Sequence, residues 1–338
     1  MKKLLTALVV LALAGLLLWA VTRSYPKLAN HELHADYAAG ERFMKTRHLG
    51  TLDLRFISIN GQMVSSLSGL AWDADNHILY TLSDKGYLFK LKPEFSSEGR
   101  LNSVKPLAVH ALLDANERRL VDLGDGDAED LAILNAADGH SDNTQLMISF
   151  EHNSRVGVYS TDGHLIKDLP LPEKLKRRQN YIEPNRALES IMHHPRYGAV
   201  VAPEIGMRRE VGQRRVLYAI DKEQKGMRWQ FYSLPYESSA VVSLESAEDG
   251  SVIVLERAWS GMTSPLTVGI RRIKLEQCKQ LEPCEVEDLA VFSTDKGWRI
   301  DNYEAIAHYK DNQFFIVSDD NGLPMQATLL TLVELDLQ

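Results

Sequence analysis

Acidic residues recur along this chain at a repeated place in a repeated pattern. Glu129, Glu189 and Glu304 each open an apolar run, and Asp84, Glu151, Glu204, Glu256 and Asp319 each close one. Eight carboxylates gathered in one place repel one another, so something must offset their charge. A hard divalent cation, calcium above all, suits carboxylates supplemented by amide and carbonyl oxygens. Asn153, Asn302 and Asn321 stand beside the acids and could complete such a shell. The competing answer is a network of ion pairs, for which Arg155, Arg186, Arg208 and Arg257 lie close to the same clusters.

A cation held by Glu129, Glu189, Glu304 and their neighbours would polarise an ester and acidify a bound water. A carboxylate such as Glu189, or the imidazole of His152 beside Glu151, would take the proton. His193 and His194 fall in the turn of their hairpin and read as exposed, whereas His308 reads as a mid-strand core histidine. A single acid at a strand end is more often a solvated turn former than a functional group, so the weight lies in the recurrence. The chain contains no G-x-S-x-G, Walker loop, HExxH, dinucleotide-binding glycine pattern or EF-hand loop.

The elements that must position these groups are hairpins. Residues 67–86, 127–153, 186–206, 239–258 and 301–328 share one shape: an apolar strand, a polar turn, and a second apolar strand ending in an acidic cluster. Aligning the residue that opens each first strand gives Ser68, Glu129, Glu189, Ser243 and Glu304, spaced 61, 60, 54 and 61 residues apart. Such spacing marks a repeat architecture. Each of the four gaps holds two further strand-like segments, whereas the fifth hairpin is followed by one, residues 327–337. The missing strand is available at the start, in residues 49–59.

The pattern predicts an all-β propeller of five four-stranded blades, closed by pairing of the N- and C-terminal strands. A sixth blade is possible in a chain of this length, but no sixth hairpin is found. Residues 172–182 read as a short helix in a connection. Because first strands line the central channel and second strands return antiparallel, all eight acids should ring one channel mouth.

The 338 residues carry 44% hydrophobic and 25% charged side chains and a formal net charge of −8. That is a folded protein without the basic balance of a nucleic-acid binder. Lys2 and Lys3 precede an apolar run over residues 4–21. Residues 1–24 therefore read as an uncleaved signal-anchor or a cleaved signal peptide, and residues 25–338 as the propeller domain. No cysteine follows the run, which excludes a lipoprotein signal. Export places the domain in the periplasm, anchored to the inner membrane by the N-terminal segment only or released after signal cleavage. Cys278 and Cys284 are expected to form a disulfide in that oxidising compartment, against the alternative of two free thiols.

The pieces LSGLAWD…LSDKG, DAEDLA…ISFEHN, LESI…VAPE, GSVIVLERAW and DNYEAIA…IVSDDNG…QATLLTLVEL resemble the phytase-like esterase domain, named for the esterase-like activity of phytase. They span about residues 66–335. The resemblance implies an exported bacterial propeller with phosphoesterase or esterase activity. Asp130, Ser190 and Ala305 stand where the family would lead one to expect glycine, a change of packing more than of chemistry. The dense Asp motifs of calcium-dependent propeller phytases are absent, so no phytate site is carried over. The expected function is metal-assisted hydrolysis of a small phosphoester or carboxylic ester. The alternative is a non-catalytic envelope propeller whose loops bind a protein, glycan or peptide.

Overall fold

Inner strands buried along nearly their whole length follow one another with short turns, and the strands pair in sequence order in groups of four. The computed structural model describes residues 28–338 apart from 184, 209–211, 222–225, 262 and 280–281. The targeting segment expected over residues 1–24 lies outside the described residues. No described helix is long and apolar enough to cross a membrane.

Blade 1 comprises Leu67–Asp73, Ile78–Ser83, Tyr87–Phe95 and Leu101–Ala111. Blade 2 comprises Ala128–Leu134, Gln145–Phe150, Arg155–Ser160 and Leu165–Leu169. Blade 3 comprises Leu188–His194, Gly198–Pro203, Arg214–Ala219 and Arg228–Tyr232. Blade 4 comprises Ser239–Ser246, Val252–Ala258, Thr267–Ile273 and Glu287–Ser293. Blade 5 comprises Asn302–Lys310, Gln313–Asp319 and Leu329–Leu335, and its fourth strand is Thr46–Asp53 from the other end of the chain.

The innermost strands of the five blades touch one another in a closed ring, so the architecture is a five-bladed β-propeller. Five apolar clusters fill the five gaps between blades. In the gap between blades 5 and 1, for example, Phe315 and Leu330 meet Leu70 and Phe89. Burying such faces on both sides of each sheet is what holds the blades upright.

Ring closure follows the expected partners but not the expected limits. Leu329 pairs with Asp53 and Leu335 with Thr46, so the closing strand begins three residues before residue 49. It ends at Asp53 because Asp53 Oδ1 accepts the Arg55 backbone N–H at 3.0 Å, and Phe56 then takes a positive φ of 78°. Residues 58–59 leave the sheet and form a small hairpin with Gln62–Met63. The predicted helix over residues 172–182 shrinks to one turn, Glu173–Lys176, and a 3-10 turn, Arg178–Asn180. Cys278 and Cys284 are disulfide-bonded, as expected, with Cα atoms 4.8 Å apart.

Blade 5 carries a buried hydroxyl chain across the closure. Tyr303 Oη lies 2.6 Å from Thr331 Oγ1, which lies 2.8 Å from Thr51 Oγ1. Thr331→Val keeps the shape but leaves two buried hydroxyls without this partner. It should cost about 1–3 kcal/mol of unfolding free energy in urea; a change under about 0.5 kcal/mol would mean that the chain is not needed for closure.

Candidate functional site

Every innermost strand carries a β-bulge in its first turn. The register slips between Leu67 and Gly69, Ala128 and Asp130, Leu188 and Ser190, Val241 and Ser243, and Tyr303 and Ala305. A bulge leaves one residue outside the ladder and re-aims its side chain. The bulged residues are Ser68, Glu129, Glu189, Val242 and Glu304. On the second strands, the residue just beyond the partner of each bulge's first flanking residue is Asp84, Glu151, Glu204, Arg257 and Asp319 in turn.

Blade 4 departs from the sequence alignment at both positions. Val242 replaces Ser243, and Arg257 replaces Glu256, each one residue out of phase. Side chains alternate between faces with a period of two, so a one-residue slip turns a side chain away from its expected face. Glu256 is accordingly buried inside blade 4. It accepts the Leu234 backbone N–H at 2.7 Å and pairs with Arg271 at 3.2 Å, away from the mouth. The mouth holds seven of the eight expected acids, and a guanidinium stands in the eighth place.

That guanidinium organises one side of the mouth. Arg257 reaches Glu304 Oε1 at 2.7 Å, Glu204 Oε1 at 3.2 Å and Asn302 Oδ1 at 2.6 Å. Arg186 grips Glu204 with two parallel bonds of 2.7 Å. Asn302 also donates to Glu304 Oε1 at 2.6 Å. The other flanking residues point elsewhere. Arg155 pairs with Asp125, Arg208 donates to the Tyr181 carbonyl, Asn153 bonds Asp125, and Asn321 bonds Gln326.

Other acids of the mouth have no such cover. Glu129 and Glu189, on neighbouring blades, have neither an ion pair nor a side-chain hydrogen bond among the described residues. Glu304 Oε2 and Asp84 Oδ1 are buried without a partner, although Lys85 pairs with the other oxygen of Asp84 at 2.8 Å. Glu151 is anchored by the Ala187 backbone N–H at 2.6 Å. Beside it, Asp127 hydrogen-bonds both the backbone N–H and Nδ1 of His152, and ligand atoms of Asp127, Glu151 and His152 lie within 4.8 Å of one another.

Electrostatics follow from this crowding. Burial, then Asp127 and Glu151, pushes the Glu129 carboxyl well above the usual range. Burial, then Glu204 and Glu129, does the same to Glu189. Burial lifts Glu151 and Glu304 to about 7 each, with Arg257 restraining Glu304. Asp319 is pushed up to about 8 by burial and by Glu304. Oxygen donors alone, several of them unpartnered, are a set that a hard divalent cation fits.

Next to the bulged Glu129 stands Asp130, which is wholly buried. Its carboxylate accepts the Leu131 N–H at 2.8 Å, the Ile191 N–H at 3.1 Å and the Ser243 hydroxyl at 3.1 Å. Ser243 Oγ in turn accepts the Ile306 N–H at 3.2 Å. One carboxylate and one hydroxyl thus join blades 2, 3, 4 and 5. Blade 1 is joined by Ser68, which donates to the Ala128 carbonyl at 2.7 Å. At the equivalent place Gly69 has no alternative, because a Cβ there would stand 2.9 Å from the Leu131 backbone nitrogen.

The histidines divide as their environments dictate. His194 is buried rather than exposed, because it ends the strand: Nε2 bonds the Gly250 carbonyl and Nδ1 accepts the Arg196 N–H. His193 next to it is exposed, as expected. His308 is half-buried and bonds the Asp311 carbonyl at 2.8 Å. Sequence reasoning missed Asp127 and the latch role of Asp130, although DAEDLA carries three acids in four residues where one was counted.

No curated protein matches the chain. The profile of the phytase-like family, described as esterase-like activity of phytase, matches residues 62–322, which begins just before blade 1 and ends just after the Asp319–Asp320 cluster. With more than half of its length matched, the chain belongs to the phytase-like family.

Proposed function

We propose that the mouth is the site of a metal-assisted hydrolase acting on a small phosphoester or carboxylic ester. The observation that supports it best is the pair Glu129 and Glu189, presented on adjacent bulges without a protein partner. Carboxylates left unpaired in an acidic, partly buried ring are costly unless a cation or protons occupy them. Glu129, Glu189 and Glu304, with Glu151, Glu204, Asp84 and Asp319 around them, are the residues that would hold the cation, for which calcium is the first candidate. When bound, it would supply Lewis-acid polarisation of the ester and a lowered water pKa.

The chain's own groups complete the chemistry. Asp127 fixes the His152 tautomer with its proton on Nδ1, leaving Nε2 free to accept a proton. Glu189 is the alternative proton acceptor. Arg186 and Arg257 hold the side chains of Glu204 and Glu304 in place. We also place the protein in the envelope, exported and held by its N-terminal segment, which the disulfide and the apolar run at residues 4–21 support.

The test is to measure melting temperature with calcium, magnesium or chelator, then to screen p-nitrophenyl esters and phosphates. Glu129→Gln and Glu189→Gln should each weaken cation affinity at least ~10-fold, about 1.4 kcal/mol, and abolish turnover. A cation shift that survives both substitutions would sink the assignment. A cation shift without turnover on any ester would leave a binding propeller.

A further inference from the structure

Large apolar side chains are exposed unevenly on this molecule. Because each innermost strand runs away from the mouth, the loops between blades and those joining second to third strands all lie on the mouth face. Those loops expose, among others, Phe56, Leu123, Ile182, Trp259, Leu323 and Met325, the last at 95% and Phe56 at 65%. The opposite face exposes Met44 and Met227 among the described residues. These six residues alone come from loops that enter or belong to all five blades, so they form a rim around the acidic centre rather than one patch.

The chain also enters the propeller at this face. Ala29 pairs with Asp53 and Asn30 with Leu52, at the mouth end of the closing strand. Six residues separate the apolar run at residues 4–21 from Leu28. Fully extended, that connection spans at most about 25 Å. A segment with two lysines followed by eighteen apolar residues is a membrane-span candidate. Its short tether holds the rim, not the opposite face, within reach of the lipid surface.

We propose that the mouth face is a membrane-docking surface: the apolar rim rests in the interface of the bilayer that holds residues 4–21, and the acidic channel mouth opens toward the lipid headgroups. Trp259, half exposed, and the aliphatic tips of Leu323 and Met325 have the chemistry of interfacial anchors. Exposed apolar area gathered on one face, rimming a polar centre, is the signature of a surface that is covered in use. The pose does not depend on the hydrolase reading.

The experiment uses the full-length chain in phosphatidylcholine vesicles containing nitroxide-labelled lipid. A fluorophore is placed at Met325→Cys or, as control, at Met227→Cys; the native cysteines are occupied in the disulfide. Nitroxide near the headgroup should quench the label at position 325 at least threefold more than that at position 227. Adding Leu323→Asp and Trp259→Ser should at least halve quenching at position 325 while the chain still floats with the vesicles. Equal quenching at the two positions, quenching indifferent to the rim substitutions, failure to float, or a dimer that shields position 325 from lipid would each overturn the proposal.

Discussion

Asp130→Ala is expected to lower the unfolding free energy by about 3–5 kcal/mol, because it strips three buried donors of their shared acceptor. The residue is wholly buried, and its carboxylate is the shared acceptor for Leu131 N–H, Ile191 N–H and the Ser243 hydroxyl. Removing it leaves three donors facing a void. Two of them belong to other blades, so the loss falls on the contacts that keep the ring closed. Asp130→Asn retains one acceptor but turns an amide N–H toward donors, and about half of the loss should remain. Urea unfolding followed by tryptophan fluorescence reads both. An unfolding free energy for Asp130→Ala within about 0.5 kcal/mol of the parent would show that the propeller does not need this latch.

The second large effect is a stability that falls as pH rises when no cation is present. Glu151 and Glu304 lie at about 7 in the folded protein against an ordinary 4.5, and Asp319 at about 8 against 3.8. A carboxyl raised on folding binds more protons in the native than in the unfolded state between those two values. The slope of unfolding free energy with pH is therefore negative there. Stability contributed by the protonated groups is complete below about pH 4 and is lost progressively up to about pH 8. One such group raised by roughly two units is worth about 3 kcal/mol across that window. Adding calcium should remove most of the fall, because a cation takes the place of the protons, and its apparent affinity should rise with pH. The measurement is melting temperature from pH 5 to 8 in chelator and in millimolar calcium. A flat profile in chelator, or a fall of equal size in calcium, would show that these carboxylates are not the linked groups.

Both effects depend on contacts between hairpins that lie far apart in the chain, and this marks the limit of what the sequence determined. Blade number, blade order and ring closure were legible because they rest on local patterns: alternating apolar residues, polar turns and a spacing of 54 to 61 residues. The gathering of acids at one mouth was legible too, since strand direction alone carries it for Asp84, Glu129, Glu151, Glu189, Glu204, Glu304 and Asp319. Blade 4 was misread because a bulge adds one residue to a strand without changing its apolar pattern. Only the tertiary register shows that Val242, not Ser243, is the bulged residue of blade 4, and that Arg257, not Glu256, reaches the mouth acids. The same limit hid Asp130: its partners Ile191 and Ser243 stand 61 and 113 residues away, and nothing local announces a bond across two blade gaps. Charge placement was therefore written in the repeat. Which charges are paired, by Arg186 and Arg257, and which are left bare, Glu129 and Glu189, was decided only when five sheets closed on one axis.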